Sequence, residues 1–404
     1  MKNKKSSKSL LTSSPPKIGV VIDRLNVGGV EKIAIEQVTA LRKQGVDAQL
    51  VVLREKAVVT NAFPDLLKGI PLVYLDQRLP RFLRFSFSFP LFHFFSSFHV
   101  TYPVFLPFVV KRNEFDYLIV HGTYTSLTAV ALKKFRHIKF SAFIWDPASY
   151  ILERVYEQKT SGIIMKPLKA IATAIDKFLI NNMDTVLVGG DAHNKFIKRM
   201  NPKKKIKVIY PSVHPIKKLV KKSDYVLMAT AWKRGKHPEY ILDLVKAMPE
   251  VQIKMVGKWL EQDYYKEFST AVKEHGFSKQ QIDIVGEVSE AQLSSYYAKA
   301  AVVLQSNDDR GFGMPALEAA GRGTTFVIPR GQGVCKLFSD GEDGYYTKEK
   351  DTKSIVPLLR KLVKDPKKAQ NMGTKAWEKV VANYSWDNHA TALRDLVDKN
   401  TTAR

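Results

Sequence analysis

The sequence predicts an α/β protein made of two doubly wound, Rossmann-like domains in tandem. Three observations predict it. Short apolar runs alternate with stretches of helical periodicity. The alternation occurs in two series, separated by a basic, proline-containing stretch. In each series one apolar run leads into a glycine-containing turn and then a helix, the usual form of a ligand-binding βα turn. The length of 404 residues also favours two cores over one.

The first series opens with "KIGVVI" (17–22), a short apolar run suited to a parallel strand buried on both faces. "NVGG" follows, and then "VEKIAIEQVTALRKQG". There Val30, Ile33, Ala34, Val38 and Leu41 recur at helical spacing, and Gly45 marks the end. "AQLVVL" (48–53) completes a βαβ unit. Further strands are expected at 117–120, 139–144, 185–189 and 206–210. The first domain is thus expected over 17–208, with a linker over 209–224. "YVLMAT" (225–230) begins the second series, with later strands at 251–256, 282–285, 301–305 and 324–328. This second domain is expected over 225–384, with a terminal helix over 385–404. In such sheets ligands bind beyond the carboxyl ends of the strands, so a cleft between the domains is the default site.

Two segments stand outside this pattern. Residues 1–16 are basic and polar and lack the apolar stretch of a signal peptide, which reads as a disordered tail. Residues 78–112 hold ten of the 22 phenylalanines, with no Asp, Glu, Lys or Arg from Phe85 to Val110. The run is long enough to span a bilayer, but Pro90, Pro103 and Pro107 and its place within one α/β domain argue against a span. It is either a core helix with an apolar loop or a surface that dips into a membrane. In the second case Arg78, Arg81, Arg84, Lys111 and Arg112 would face anionic headgroups.

The charge balance points to an anionic partner. Lys and Arg number 64 against 39 Asp and Glu, a net charge of +25. The basic residues are spread over both domains and no nucleic-acid motif is present, so no nucleic-acid partner is expected. The lone Cys335 reads as a small core residue and fits a reducing compartment.

Three sets of residues carry candidate chemistry. Gly28 and Gly29 sit between the first strand and its helix, where free backbone N–H groups suit an anion. In "RGFGMPALEAAGRG" (310–323), Pro315 suits a helix start, the amides of Phe312, Gly313 and Met314 would point outward, and Glu318 lies about one turn on. A carboxylate there accepts two hydroxyl hydrogen bonds, as a ribose diol offers; a solvated helix charge is the plainer reading. His121 and Asp146 end two strands of the first domain, and each reads equally well as a satisfied core residue or a turn cap.

Over roughly residues 17–395 the chain resembles the retaining glycosyltransferases of family 4, which have the GT-B fold of two Rossmann-like domains facing a central cleft. The resemblance rests on "SNDDRGFGMPALEAAGRGTTFVIPRGQGVCKLFSDGEDGYY", "DRLNVGGVEKIAIEQVTALRKQG", "GEVSEAQLSSYYAKAAVVLQS" and "NYSWDNHA" in that order. It implies transfer of a sugar from a nucleotide-sugar donor to a lipid-linked or glycan acceptor, without a metal or other cofactor. By it Glu318 would hold the ribose, the amides at 312–314 the donor sugar, Gly28 and Gly29 the diphosphate, and Lys236 would neutralise the leaving group. Base recognition would fall near Gly286 and Val288. By its resemblance to the family's terminal helices, the helix over 385–404 would cross back to the first domain, where Trp386 would brace the hinge; core packing is the plainer reading of Trp386. The family pattern is broken at three places. Arg310, beside Gly311, replaces a carboxylate; Ala231 replaces an arginine, leaving Lys233 and Arg234 as substitutes; and Trp145 replaces a histidine, so that Asp146 or His121 would attend the acceptor. The implied setting is the cytoplasmic face of an anionic membrane surface. The alternative is a degenerate member that binds nucleotide sugars or acts as a scaffold without transferring.

Overall fold

The computed structural model describes residues 16–26, 28–54, 64–84, 87–89, 92–156, 162–305, 312–348 and 351–402. Residues 1–15 of the expected basic tail, Arg310 and Gly311 lie outside them.

The chain divides into two compact units. One comprises Met1–Leu187, Phe196–Lys207 and Ala390–Arg404; the other comprises Val188–Lys195 and Val208–His389. The first unit begins with β1 (Ile18–Ile22), α1 (Gly29–Lys43), β2 (Ala48–Val52), α2 (Pro64–Leu67) and β3 (Leu72–Tyr74). A hairpin of β4 (Ser88–Phe89) and β5 (Phe92–Ser96) leads to α3 (Phe98–Val109). Then come β6 (Tyr117–His121), α4 (Thr125–Arg136), β7 (Lys139–Phe143), α5 (Ala148–Tyr156), α6 (Gly162–Asn182), β8 (Val186–Val188), α7 (Asn194–Met200) and β9 (Ile206–Val208). Seven of these strands form one sheet in the order β3-β2-β1-β6-β7-β8-β9. The pairs in register are parallel, with Ile18 opposite both Ala48 and Tyr117. Every residue of β1 and β6 is buried, as expected of strands covered by helices on both faces.

The second unit holds β10 (Val226–Ala229), α8 (Tyr240–Ala247), β11 (Ile253–Val256), α9 (Gln262–Glu274), β12 (Ile282–Gly286), α10 (Glu290–Lys299) and β13 (Val302–Leu304). It continues with α11 (Met314–Gly321), β14 (Thr325–Pro329), β15 (Tyr345–Thr347), α12 (Thr352–Lys364) and α13 (Pro366–Asn383). Its six-stranded sheet runs β12-β11-β10-β13-β14-β15, again with parallel pairs. The last helix, α14 (Trp386–Thr402), is shared: Trp386 to His389 belong to the second unit and the rest to the first.

Both sheets are therefore doubly wound. The strand order reverses between β1 and β6 in one and between β10 and β13 in the other. At such a point the crossovers leave in opposite directions and a crevice opens at the carboxyl ends of the two strands.

Three details depart from the expectations. Residues 209–224 are bonded into the second unit rather than forming a separate linker. Ile216 N donates to Gly321 O at 2.9 Å, Trp377 Nε1 to Ile216 O at 3.0 Å, and Lys222 Nζ to Ala298 O and Thr324 Oγ1 at 2.7 and 2.6 Å. Burial with no carboxylate in range pulls the Lys222 ammonium down to about 7. In the aromatic segment, α3 runs through Pro103 and Pro107, packed on α4. One face of α3 buries Phe98, Tyr102 and Leu106, while Val100, Val104 and Phe108 point outward at spacings of four. Arg78 is held by both carboxylate oxygens of Glu114, at 2.7 and 2.8 Å, and Arg84 donates to the Leu79 and Gln77 carbonyls. These two arginines are used within the unit, which leaves Arg81, Lys111 and Arg112 exposed. Among the described residues no helix is long and apolar enough to cross a membrane.

His389 anchors the start of α14. Its Nδ1–H donates to the Tyr210 carbonyl at 2.8 Å, and its ring packs on Trp386 at 5.0 Å between centroids. Burial pulls the imidazole from 6.5 down to about 4. In the window between those values the unfolded chain binds a proton that the folded ring refuses. Stability should therefore fall as pH drops through it, by up to roughly 3 kcal/mol. Urea melts at pH 7, 5.5 and 4.5 check this: His389→Gln, which keeps a donor, should show a flatter decline than the unmodified chain, and equal slopes would assign the acid sensitivity elsewhere.

Candidate functional site

Each unit brings its own candidate residues to its switch point. In the first, β1, β6 and β7 are neighbours, so Gly28–Gly29, His121 and Asp146 share one end of the sheet. Gly28 is the N-cap of α1 in ordinary extended backbone, and no side chain caps the helix. The space over Gly29 is open: a Cβ built there meets nothing within 4 Å. Glu31 folds back beside Gly28, and burial raises its carboxyl above the usual range, against opposing hydrogen bonds from its own backbone N–H and that of Asn26. A half-buried acid thus stands at the helix start, where an anion is otherwise favoured.

His121 is fully committed. Its Nδ1 accepts from the Trp145 indole N–H at 3.1 Å, and Nε2 lies 2.8 Å from Gln37 Oε1. Indole only donates, so Nδ1 carries no proton and Nε2–H donates to Gln37. His121, Phe143 and Trp145 stack with interplanar angles of 5 to 15°. With 2% of its surface exposed, His121 fixes Trp145 and the strand end and presents no nitrogen to a ligand. That differs from the catalytic part expected of it.

Asp146 is half-buried at the carboxyl end of β7, and its backbone carbonyl accepts from Thr123 Oγ1 at 2.8 Å. The loop carrying it is set by Asp176 on α6. That buried carboxylate accepts from Ala148 N, Ser149 N and Ser149 Oγ at 2.7, 3.0 and 2.7 Å and so caps α5. A cap supplied from 28 residues away leaves no local signature in the sequence.

In the second unit β10 and β13 flank the switch point. Beyond β10 a short 3₁₀ turn, Arg234–Lys236, ends at His237 with φ of 50°. Trp232 seats this turn: it is buried, donates to Val256 O at 3.2 Å and stacks on Trp259. Lys236 is half-buried in the turn. Arg234 lies elsewhere. Its guanidinium grips both oxygens of Glu267 on α9 at 2.6 and 2.8 Å, approaches Asp263 at 3.4 Å, and covers the Tyr264 ring. It is thus unsuited to the donor-binding part expected of it. Gly286 ends β12 with φ of 81°, and Val288 packs against the core.

Beyond β13 the turn into α11 is tightly specified. Gly313 is the N-cap with φ of 91°, and a Cβ there would run into Gln332 and Val334. Phe312 O accepts from Val334 N at 2.7 Å, which pins the turn. Among the described residues the N–H groups of Phe312, Gly313 and Met314 donate to no backbone carbonyl in this turn. One turn into α11 stands Glu318, half-buried. The hydroxyl of Tyr297, itself buried, donates to the Glu318 carboxylate; burial foremost, and then this carboxylate, holds the phenol well above its ordinary value. Tyr297 was invisible at the sequence level because an aromatic in "SSYYAKA" reads as core. Cys335 is partly buried and packs with this core, and burial raises its thiol.

Among the described residues no group of three or more His, Cys, Asp or Glu is placed to hold a metal ion. Chemically, the second unit offers the helix start at residues 312–314, one oriented carboxylate and one lysine at its switch point. That set suits an anionic, polyhydroxylated ligand.

Comparison with known proteins agrees. Residues 27–216 match the family model described as Glycosyltransferase Family 4, and residues 211–379 match that of glycosyl transferases group 1. A trehalose synthase of Pyrococcus horikoshii is 27% identical over 157 residues, a match that spans 37% of each chain. The chain thus covers little more than a third of that curated relative's length. Sucrose-phosphate synthase from Thermosynechococcus elongatus superposes with a TM-score of 0.74 at 15% identity, over 96% of this chain and 100% of that one. HepE from Anabaena, solved with UDP and glucose, gives 0.70 at 15% identity with the same coverage.

The two glycine turns should respond differently to alanine. Gly313→Ala forces a positive φ and a clash, and should destabilise the second unit by roughly 1–3 kcal/mol. Gly29→Ala, with open space around it, should leave stability within about 0.5 kcal/mol while weakening any anion held at the start of α1. Thermal melts of both variants check the contrast, and a Gly313→Ala protein as stable as the unmodified chain would refute the geometry.

Proposed function

The chain belongs to the group 1 glycosyltransferases, with the GT-B fold, and from that premise we propose that it transfers a sugar from a nucleotide-sugar donor with retention of configuration. The observation that carries the reading is Glu318, oriented by Tyr297 beside the amides of residues 312–314 at the second unit's switch point. A carboxylate so placed accepts both hydroxyls of a ribose, and the amides take sugar hydroxyls. Lys236, on the neighbouring strand end, meets the diphosphate. The first unit takes the acceptor, with Asp146, at the carboxyl end of β7, as the group that attends its hydroxyl.

In the step itself the bond from C1 of the sugar to the diphosphate oxygen breaks. The acceptor oxygen bonds to C1 on the same face, and its proton passes to a donor phosphate oxygen. Charge builds on the leaving diphosphate, so a fixed cation and preorganised N–H groups lower the barrier without a metal ion. HepE was solved in complex with UDP and glucose, which supports a donor of that class.

The acceptor is a lipid-linked or glycan chain met at the cytoplasmic face of a membrane. Exposed Phe82, Phe87, Val100, Val104 and Phe108, with Arg81, Lys111 and Arg112, support this. Aromatic and aliphatic side chains rimmed by cations are the composition of an interfacial surface.

A panel of UDP-, GDP- and ADP-sugars, scored for binding and slow release of nucleotide, should pick out one donor. Lys236→Ala should then lower kcat/KM by about 10²–10³-fold. Tyr297→Phe, which frees the Glu318 carboxylate, should weaken donor binding by about 10-fold. A folded protein that binds no donor would refute transfer and leave the reading of a degenerate relative. For the membrane, Phe82→Ser with Phe108→Ser should cut sedimentation with phosphatidylglycerol vesicles at least 10-fold; unchanged sedimentation would refute that surface.

A further inference from the structure

The first unit carries a second charged feature, far along its sheet from His121 and Asp146. A cavity of about 680 Å³ is lined by six lysines, Lys198, Lys203, Lys204, Lys205, Lys207 and Lys399, against one carboxylate, Asp395. Thr185 and Ile206, at the starting ends of β8 and β9, also line it. The strands are parallel, so this is the opposite end of the sheet from the one that bears His121 and Asp146. The lysines come from α7, the turn before β9, the edge strand itself and α14, so two distant parts of the chain build the cavity.

The lysines divide into two groups. Lys198 Nζ donates to the Pro202 and Lys204 carbonyls at 3.1 and 3.0 Å, Lys204 Nζ to Asn181 O at 3.2 Å, and Lys207 Nζ to Ala392 O at 2.7 Å. These three tie the walls together. Lys203, Lys205 and Lys399 are exposed and form no salt bridge among the described residues. The charge is held at a cost: burial first, and then neighbouring Lys133, pulls Lys204 down to about 8, and burial and Lys399 act likewise on Lys207 against Asp395. Nothing in the packing of the sheet requires so many cations at one edge. An anion would remove the repulsion. Lysine ammonium groups are compact point charges that suit phosphate.

We propose that this cavity binds an anion bearing two or more phosphate groups, at a site separate from the one that handles the donor. The volume lies within the range of small-ligand pockets and accommodates several phosphates. Three lysines without carboxylate partners match two to three negative charges. The same chemistry is offered by a soluble or polymeric phosphate chain and by an anionic lipid headgroup.

The test is calorimetric titration of the full chain with inorganic tripolyphosphate at low salt. Saturable binding is expected. Lys203→Ala with Lys205→Ala and Lys399→Ala should weaken it at least 10-fold, while Lys236→Ala, which removes only tripolyphosphate held at the donor site, should leave this binding event in place. All three positions in the cavity are exposed, so the triple variant should keep the unmodified circular dichroism and melting temperature. Binding lost in Lys236→Ala but kept in the triple variant would overturn the proposal, since it assigns the anion to the donor site. So would the absence of saturable binding. Sedimentation with vesicles containing cardiolipin, whose headgroup carries two phosphates, separates the sources. Loss in the triple variant names a headgroup, and retention alongside lost tripolyphosphate binding names a phosphate chain. An oligonucleotide that binds more tightly than tripolyphosphate through the same lysines would overturn it in favour of a nucleic-acid surface.

Discussion

The constraint on which the rest depends is the reversal of strand order in each sheet. Parallel strands need crossover helices, and right-handed crossovers from adjacent strands leave toward opposite faces only where the order turns. Between β1 and β6, and again between β10 and β13, no helix covers the carboxyl ends from directly above. Most candidates for chemistry within a unit stand at or just beyond the carboxyl ends of those strands or their immediate neighbours. The loops themselves are irregular, so their precision has to come from contacts with the packed layers beneath them. Gly313 admits Gln332 and Val334, Trp232 locks onto Val256, and Asp176 caps α5 from another helix.

Those contacts share a physical character. They are buried polar clamps rather than additional apolar area. The Asp343 carboxylate, wholly buried, is held by Lys379 and by the Ser339 N–H at 2.7 Å. His121 is satisfied on both nitrogens, and the Tyr297 hydroxyl donates a hydrogen bond to Glu318. Losing one partner of such a clamp leaves a buried group unsatisfied, which costs more than the hydrogen bond contributes. That asymmetry favours one loop conformation over its alternatives, and a transfer reaction without an enzymatic nucleophile depends on positioning above all.

The fold was legible because buried parallel strands are continuous apolar runs. "KIGVVI", "AQLVVL" and "YVLMAT" each overlap an observed strand within a residue or two. β3 and β15 escaped notice because each has three residues at a sheet edge and is largely half-buried, so neither alternation nor a solid apolar run marks them. In the aromatic stretch the core helix of one reading is present as α3, whose packing on α4 offsets the two N–H groups missing at Pro103 and Pro107. The positions of Gly28, Asp146, Lys236 and Glu318 at strand ends were legible from strand-turn-helix order. The state of His121 was not: its partner Gln37 lies 84 residues away. Arg234 illustrates the same limit, since the carboxylates that capture it sit on α9.

The net charge of +25 reads differently once it is placed on the fold. A single sequence-wide excess suggests one basic surface. In the first unit, the end bearing His121, Phe143 and Trp145 is a neutral stacked cluster beside an acid, Asp146. The opposite end gathers six lysines around a cavity. Within this unit, long-range attraction of an anionic partner therefore acts most strongly at the end of the sheet opposite Asp146, within about a Debye length of 8–10 Å at ordinary salt. On the proposed reading, a polyanion held there leaves the carboxyl ends of β6 and β7 clear.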